Sequence, residues 1–351
     1  MSIEKDIQEQ VRSAATGQTP LAIQGSNSKQ FYGRATPGKP LSVNGHRGII
    51  DYTPSELVIS VRAGTPLAEL QSVLDQEGQM LPFEPPHFSD TATVGGCIAC
   101  GLSGPRRPYT GAVRDFVLGV NCINGKAEIL HLGGQVMKNV AGYDLSRTLT
   151  GSLGTLAVLL DVHLKVLPRP ALQTTLVQNC SADTAVENLN QWAGQPLPLS
   201  GGCYMDGKLY VRLSGMAEGV QAAASKIGGE PLDEAEHFWE QLREQQLPFF
   251  SGDTPLWRLS VAAATKPLAL NGATLLDWGG AQRWLRSDLP ADSIRSAVTT
   301  IGGHATLFRG GDRSGAVFQP LQPAMLALHQ RLKGTMDPAG IFNPGRMYPE
   351  L

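Results

Sequence analysis

The chain has 351 residues, and length over roughly 150 gives a prior of two domains with room for a third. Hydrophobic residues make up 42% and charged residues 17%, with a net charge of −2, so the chain builds a real core and carries no electrostatic footprint for nucleic acid or anionic lipid. Five cysteines in this length give no disulfide framework, no apolar run approaches the ~20 residues of a membrane span, and the charged start does not read as a secretory leader.

Residues 2–15 carry Ile3, Ile7 and Val11 at helical spacing. A short strand at 21–23 runs into the polar loop Gly25-Ser26-Asn27-Ser28-Lys29. A second strand at 57–61 precedes Thr65-Pro66, which reads as a capping hydroxyl and a first-turn proline opening a helix with Leu67, Leu70, Val73 and Leu74 on its apolar face. Gly78 closes it. The stretch 82–111 reads almost wholly as loop. Strands at 117–123 and 128–132 flank Asn124-Gly125, a tight-hairpin signal. The apolar run 153–167 stops at Pro168 and Pro170, which predicts a domain boundary.

Beyond that boundary the pattern becomes strand, helix, hairpin, helix. Residues 172–178 alternate, 182–192 are helical, and 203–205 with 209–213 flank an Asp206-Gly207 turn. Gly228 and Gly229 end a further helix, and 233–245 predicts a charged one. Strands follow at 257–263 and at 274–285, the latter interrupted at Gly279-Gly280. This is an antiparallel sheet with helices on one side.

Three glycine-rich stretches lie in the first 155 residues: Gly25 to Lys29, Ala92 to Gly101 with Ser103-Gly104 following, and Gly151-Ser152-Leu153-Gly154-Thr155. Glycine tolerates positive φ and lets backbone N–H groups converge on an anion, so three such loops with hydroxyls between them suit a pyrophosphate. None matches the spacing of a Rossmann fingerprint or a P-loop. Cys97 and Cys100 form C-x-x-C, but no second pair or spaced histidines complete a zinc site, so packing is the reading preferred. The seven histidines have no metal-ligand spacing.

Taken in order, these loops, residues 61–74, the run Lys138-Asn139-Val140-Ala141-Gly142-Tyr143-Asp144-Leu145 and a late Phe342-Asn343-Pro344-Gly345 resemble the flavoprotein family of vanillyl-alcohol oxidase and D-lactate dehydrogenase type. The resemblance covers residues 18–170 strongly and 305–346 more weakly. It implies an α+β fold: a two-lobed FAD-binding domain over 1–170, an antiparallel α+β cap domain over 171–305, and a segment at 306–351 returning to the flavin. By that resemblance Gly25, Ser26, Asn27, Ser28 and Lys29 contact the pyrophosphate. Thr93, Gly95, Gly96, Ala99, Gly101 and Ser103 line pyrophosphate and flavin, Gly151, Ser152, Gly154 and the Val158 backbone flank the adenine side, and Asn343 returns to the ring.

Within the family, the first loop, the run Asp277-Trp278-Gly279-Gly280-Ala281-Gln282-Arg283-Trp284 and the short length most resemble FAD-binding subunits of bacterial glycolate oxidase. That implies oxidation of glycolate to glyoxylate, a longer flavin subunit and an iron–sulfur subunit as partners, and a cytoplasmic setting, at most peripheral at the inner face of a membrane. A free-standing FAD-dependent D-lactate or other 2-hydroxy-acid dehydrogenase is the alternative.

The departures carry expectations too. Larger relatives have a late run whose two histidines help hold a metal; here the stretch is Arg309-Gly310-Gly311-Asp312-Arg313-Ser314-Gly315-Ala316, with Arg309 and Ala316 at those places. A guanidinium is no metal ligand. The expectation is no metal, no identified catalytic base, and an accessory rather than self-sufficient subunit. Arg309 reads either as a carboxylate or flavin-charge partner or as a structural arginine. Where relatives tether their flavin through His or Cys, this chain has Ser26, Asn27, Ser28 and Thr91, so FAD is expected to be non-covalent.

Overall fold

The computed structural model describes residues 2–134 and 145–351, so the predicted motif at 138–144 lies outside the described residues. The chain divides into two compact units. The first comprises Met1–Leu102, Ala112–Pro168 and Arg313–Leu351; the second comprises Ser103–Gly111 and Arg169–Asp312.

In the first unit, helix Ile3–Gly17 starts where the Ser2 hydroxyl accepts the Lys5 N–H, and it buries Ile7, Val11 and Ala14. Strand Leu21–Gln24 pairs in parallel with Lys39–Ser42. Among the described residues, five antiparallel strands form the main sheet, in the order Ile49–Thr53, Val58–Arg62, Val158–Lys165, Val117–Ile123, Ile129–Gly133. Helix Leu67–Gln76 buries Leu67, Leu70 and Leu74 against one core, with Ile59, Val61, Ile98 and Phe116. The other core joins Ile7, Val11, Leu21, Val158, Leu160 and Phe342. Helix Pro323–Met336 leads into a C-terminal loop laid along the first strand, with Leu21 N–H donating to Ile341 O and Asn343 N–H to Leu21 O.

The second unit is an antiparallel sheet of eight strands among the described residues, from Glu230–Pro231 at one edge to His304–Arg309 at the other. Helices Ala182–Ala193 and Ala217–Ile227 supply Ala185, Leu189, Val220 and Ala223 to a core with Leu209, Val211 and Leu213. Asp206 and Gly207 both take positive φ in the hairpin turn, as the sequence predicts.

Several expectations are corrected. Thr65 does not cap its helix: its hydroxyl accepts from Gly48 N–H at 2.8 Å, and Pro66 takes the cap position. The predicted loop at 82–111 contains helix Val94–Cys100, because Thr93 caps it and Gly101 ends it in the left-handed region. The Asn124-Gly125 hairpin is not a two-residue turn, since Ile123 pairs with Ile129 and the Asn124 side chain organises the residues between. Residues 274–285 are two paired strands, Ala273–Asp277 and Gln282–Arg286, reversed at Trp278–Gly280 where Trp278 and both glycines have positive φ. The boundary expected at 305/306 falls inside strand His304–Arg309, whose pairing with Leu256–Ser260 holds it in the second unit up to Asp312. Residues 103–111, expected in the first domain, also belong to the second unit.

Candidate functional site

The first unit contains a cavity of about 470 Å³ lined from all three glycine-rich stretches. Its floor is built by close backbone approach. A Cβ on Gly25 would stand 2.5 Å from the Thr93 hydroxyl, and one on Gly95 would stand 2.8 Å from the Ala63 Cβ. Neither position has room for another residue. The Thr93 hydroxyl accepts the Gly96 N–H at 3.2 Å, and Gly95 N–H donates to Ala63 O at 2.7 Å. Ala22, Ile23, Val43, Ala157 and Leu159 complete an uncharged lining.

A second wall is cationic. Lys29 is 5% exposed, with its ammonium donating to His87 O at 3.0 Å. Arg313 donates twice to Gly33 O, at 3.2 and 2.6 Å, and Arg346 donates to Tyr32 O at 3.2 Å. Arg34 reaches back to the carbonyls of Ser314 and Gly315. All four line the cavity, and no Asp or Glu does among the described residues. The Arg34 Nε and the Thr36 hydroxyl, both from lining residues, are buried without a protein hydrogen-bond partner. Buried polar groups in native proteins are nearly always satisfied, so unpaired donors on a cation-rich wall fit an anionic ligand. Burial pushes the Cys97 thiol up to about 12 and also raises Cys100, which lines the cavity. Both thiols are therefore neutral, weak nucleophiles.

Gly25, Ser26, Asn27, Ser28, Lys29, Thr93, Gly95, Gly96, Ala99, Ser152, Gly154 and Asn343 all line the cavity. Gly101, Ser103, Gly151 and Val158 are not in its lining. Gly101 and Gly151 stand against each other instead: a Cβ on Gly101 would lie 2.9 Å from the Gly151 Cα. Ser103 falls in the second unit, and Val158 belongs to the core with Ile7 and Val11, leaving its neighbours Ala157 and Leu159 on the lining.

Asn343 has its amide committed to protein: Oδ1 accepts Ile23 N–H at 2.8 Å and Nδ2 donates to Leu153 O at 2.7 Å. It ties the third glycine loop to the first strand. Beneath it, the buried Lys333 ammonium donates to Thr155 O, Phe342 O and the Asp337 carboxylate at 2.7–2.8 Å. Asp337 in turn accepts the Ile341 and Phe342 N–H groups.

Arg309 sits on the edge strand of the second unit, opposite Leu256. The arginine of this stretch that lines the cavity is Arg313, four residues on. Sequence reasoning missed Arg34, Arg313 and Arg346. No local motif marks them, because each reaches the cavity wall from a different stretch of the chain.

A family described as "FAD binding domain" matches residues 2–133. The glycolate oxidase subunit GlcE of Escherichia coli (strain K12) is 51% identical over 343 residues, 98% of this chain and 97% of that protein. The glycolate oxidase subunit GlcD of Bacillus subtilis (strain 168) is 30% identical over 129 residues, 37% of this chain and 27% of that protein. A solved structure of alkyldihydroxyacetonephosphate synthase superposes with a TM-score of 0.67 at 15% identity, covering 97% of this chain and 75% of that one, which establishes a shared α+β fold. Among the described residues no helix is long and apolar enough to cross a membrane.

Proposed function

The chain belongs to the family of the glycolate oxidase subunit GlcE, and from that premise we propose that it is a FAD-binding subunit of a complex oxidising glycolate to glyoxylate. The observation that carries this reading is the single cavity wall set of three glycine loops and four cations, with no acid among the described lining residues. Such a lining fits the cofactor's diphosphate: backbone and hydroxyl groups approach closely at Gly25, Thr93, Gly95 and Gly96, while Lys29 and the arginines supply the counter-charge. When bound, FAD supplies the two-electron acceptor for a hydride leaving C2 of a small 2-hydroxy acid.

FAD is held without a covalent bond in this reading. Among the described lining residues there is no histidine, and the cysteine is Cys100, kept protonated by burial. The same lining offers no proton acceptor for a substrate hydroxyl: it has no Asp, Glu or His. General-base help is typically worth about 10²–10⁴ in rate, so a chain whose cofactor cavity lacks a base is expected to turn over slowly alone. Its role is to carry or relay electrons beside partners, a longer flavin subunit and an iron–sulfur subunit.

Co-expression with those partners, pull-down, and glycolate-dependent dye reduction test this. The isolated chain is expected to bind FAD but reduce dye at least a hundredfold more slowly than the assembly. Full-rate turnover by the isolated chain would contradict the accessory role and favour a free-standing 2-hydroxy-acid dehydrogenase.

A further inference from the structure

The second unit has a cavity of its own, of about 330 Å³, lined by Thr254, Asn271, Arg286, Ser287, Asp288 and Pro290 among others. None of these residues lines the cavity of the first unit. Strand Gln282–Arg286 ends in its wall, and the cap residue of helix Ala291–Thr300, Pro290, stands in the same wall. Arg286 is half-buried and held there by backbone. Its Nη1 donates to the carbonyls of Phe249 and Ser251, and its Nη2 donates to Thr254 O at 3.2 Å. These bonds clasp the 249–254 loop to the strand, but a carbonyl carries no net charge and neutralises nothing. No Asp or Glu pairs with this guanidinium among the described residues.

Of the five N–H groups a guanidinium offers, Nε–H and one on Nη2 are left over. They sit on adjacent nitrogens, the fork that takes two oxygens of one carboxylate or phosphate. No side chain caps the helix that begins after Pro290, so its first N–H groups and positive dipole end add to the same preference. The Ser287 hydroxyl fixes the turn between strand and helix, donating to Asn271 O at 2.6 Å and accepting Leu289 N–H at 3.2 Å. The opposing charges are Asp288 in the lining and Asp292 in the first helical turn, both exposed. Water screens exposed carboxylates, so they weaken an anion site without closing it.

We propose that this cavity binds a small molecule through an oxyanion head group, a carboxylate or a phosphate, gripped by the free fork of Arg286 and the uncapped helix end. Its volume lies at the low end of the roughly 300–1,000 Å³ of ligand pockets, which suits a small metabolite and not a second dinucleotide.

The probes are inorganic phosphate and acetate, titrated into the full chain with excess FAD present and ionic strength held constant with chloride. Thermal melts read binding, because a ligand of the folded state raises the melting temperature saturably. Half-saturation on the order of millimolar is expected for at least one probe, and the probe that saturates lower names the head group. Arg286→Gln should raise that concentration at least about tenfold, and Arg286→Lys, which keeps the charge without the fork, by less. Arg286 also holds its loop, so two exposed positions carry the test where the Gln variant does not fold. Asn271→Asp should weaken binding and Asp288→Asn should tighten it, each about two- to fivefold. The absence of a saturable rise with either probe overturns the proposal, and so do half-saturations that neither Asn271→Asp nor Asp288→Asn moves.

Discussion

One wall of the cavity is made of backbone and the other of cationic side chains, and the two are assembled over very different chain distances. The glycine wall comes from short contiguous runs in which Gly25, Gly95 and Gly96 stand against Thr93 and Ala63. The cationic wall joins Arg313 to Gly33 across 280 positions and Arg346 to Tyr32 across 314. Contact made by backbone shows up in sequence as glycine, because only glycine lets two chains meet at that distance. Contact made by arginine leaves no local pattern, since the long side chain reaches its carbonyl from many backbone positions.

This contrast can be broken first at the base of the C-terminal segment. Lys333→Met removes the partner of the buried Asp337 carboxylate and three donors beneath the loop carrying Asn343 and Arg346. Stranding one charge of a buried pair costs about 3–5 kcal/mol, so a large loss in chemical-denaturation stability is expected, with FAD uptake lost alongside it. Stability within error of the unaltered chain would show that the segment is held by something else.

The glycine wall is expected to respond differently. In Gly96→Val the added Cβ comes within 3.1 Å of the Thr93 hydroxyl, and the branched side chain intrudes on the lining. Losing one charge-assisted bond costs roughly 1.5–3 kcal/mol, so FAD affinity should fall at least about tenfold while the melting temperature changes little. Fluorescence-quenching titration reads the first and a thermal melt the second. Unchanged affinity would make this stretch an ordinary turn.

The smallest effect is expected away from both walls. On the main sheet the Ser60 hydroxyl meets His163 Nδ1 at 2.7 Å, and Asp161 bonds His46 and Asn121. Burial opposes the Asp161 carboxylate, but the hydrogen bonds from His46 and Asn121 outweigh it and hold the acid below its ordinary 3.8. Its contribution is lost only as pH falls through that depressed value. His163 is pushed below its ordinary 6.5 chiefly by burial, so the unfolded chain binds the proton first. Stability therefore declines as pH drops below about 6.5 and levels off beneath the depressed value. His163→Gln should flatten that decline in melts run from neutral to mildly acid pH, without altering FAD affinity at neutral pH. A decline of the same size in the variant would assign it to other groups.

The legible parts of the molecule share one property, and the illegible parts lack it. Helix Ile3–Gly17 and the Asp206-Gly207 turn are each specified by residues within a few positions of one another. Thr65 looks like a helix cap locally, yet its hydroxyl is taken by Gly48, a partner 17 positions away. The Asn124-Gly125 pair looks like a two-residue hairpin, yet Gly125 is needed because a Cβ would stand 2.4 Å from the Asp337 carboxylate. Arg309 was marked by its place in a run of relatives' histidines, whereas Arg313 reaches the cavity because the chain leaves the edge strand through Gly310 and Gly311, both at positive φ. In each case tertiary contact decided between local alternatives.

The central claim is that this cavity holds FAD by backbone and counter-charge, without a covalent bond. Its direct test is to purify the full chain, record its visible spectrum, denature it with acid, and measure flavin in the supernatant and on the precipitate. The account expects a yellow protein, close to one flavin per chain, and all of it released as FAD. A colourless chain that takes up no FAD on titration, or flavin that stays on the denatured polypeptide, would contradict it.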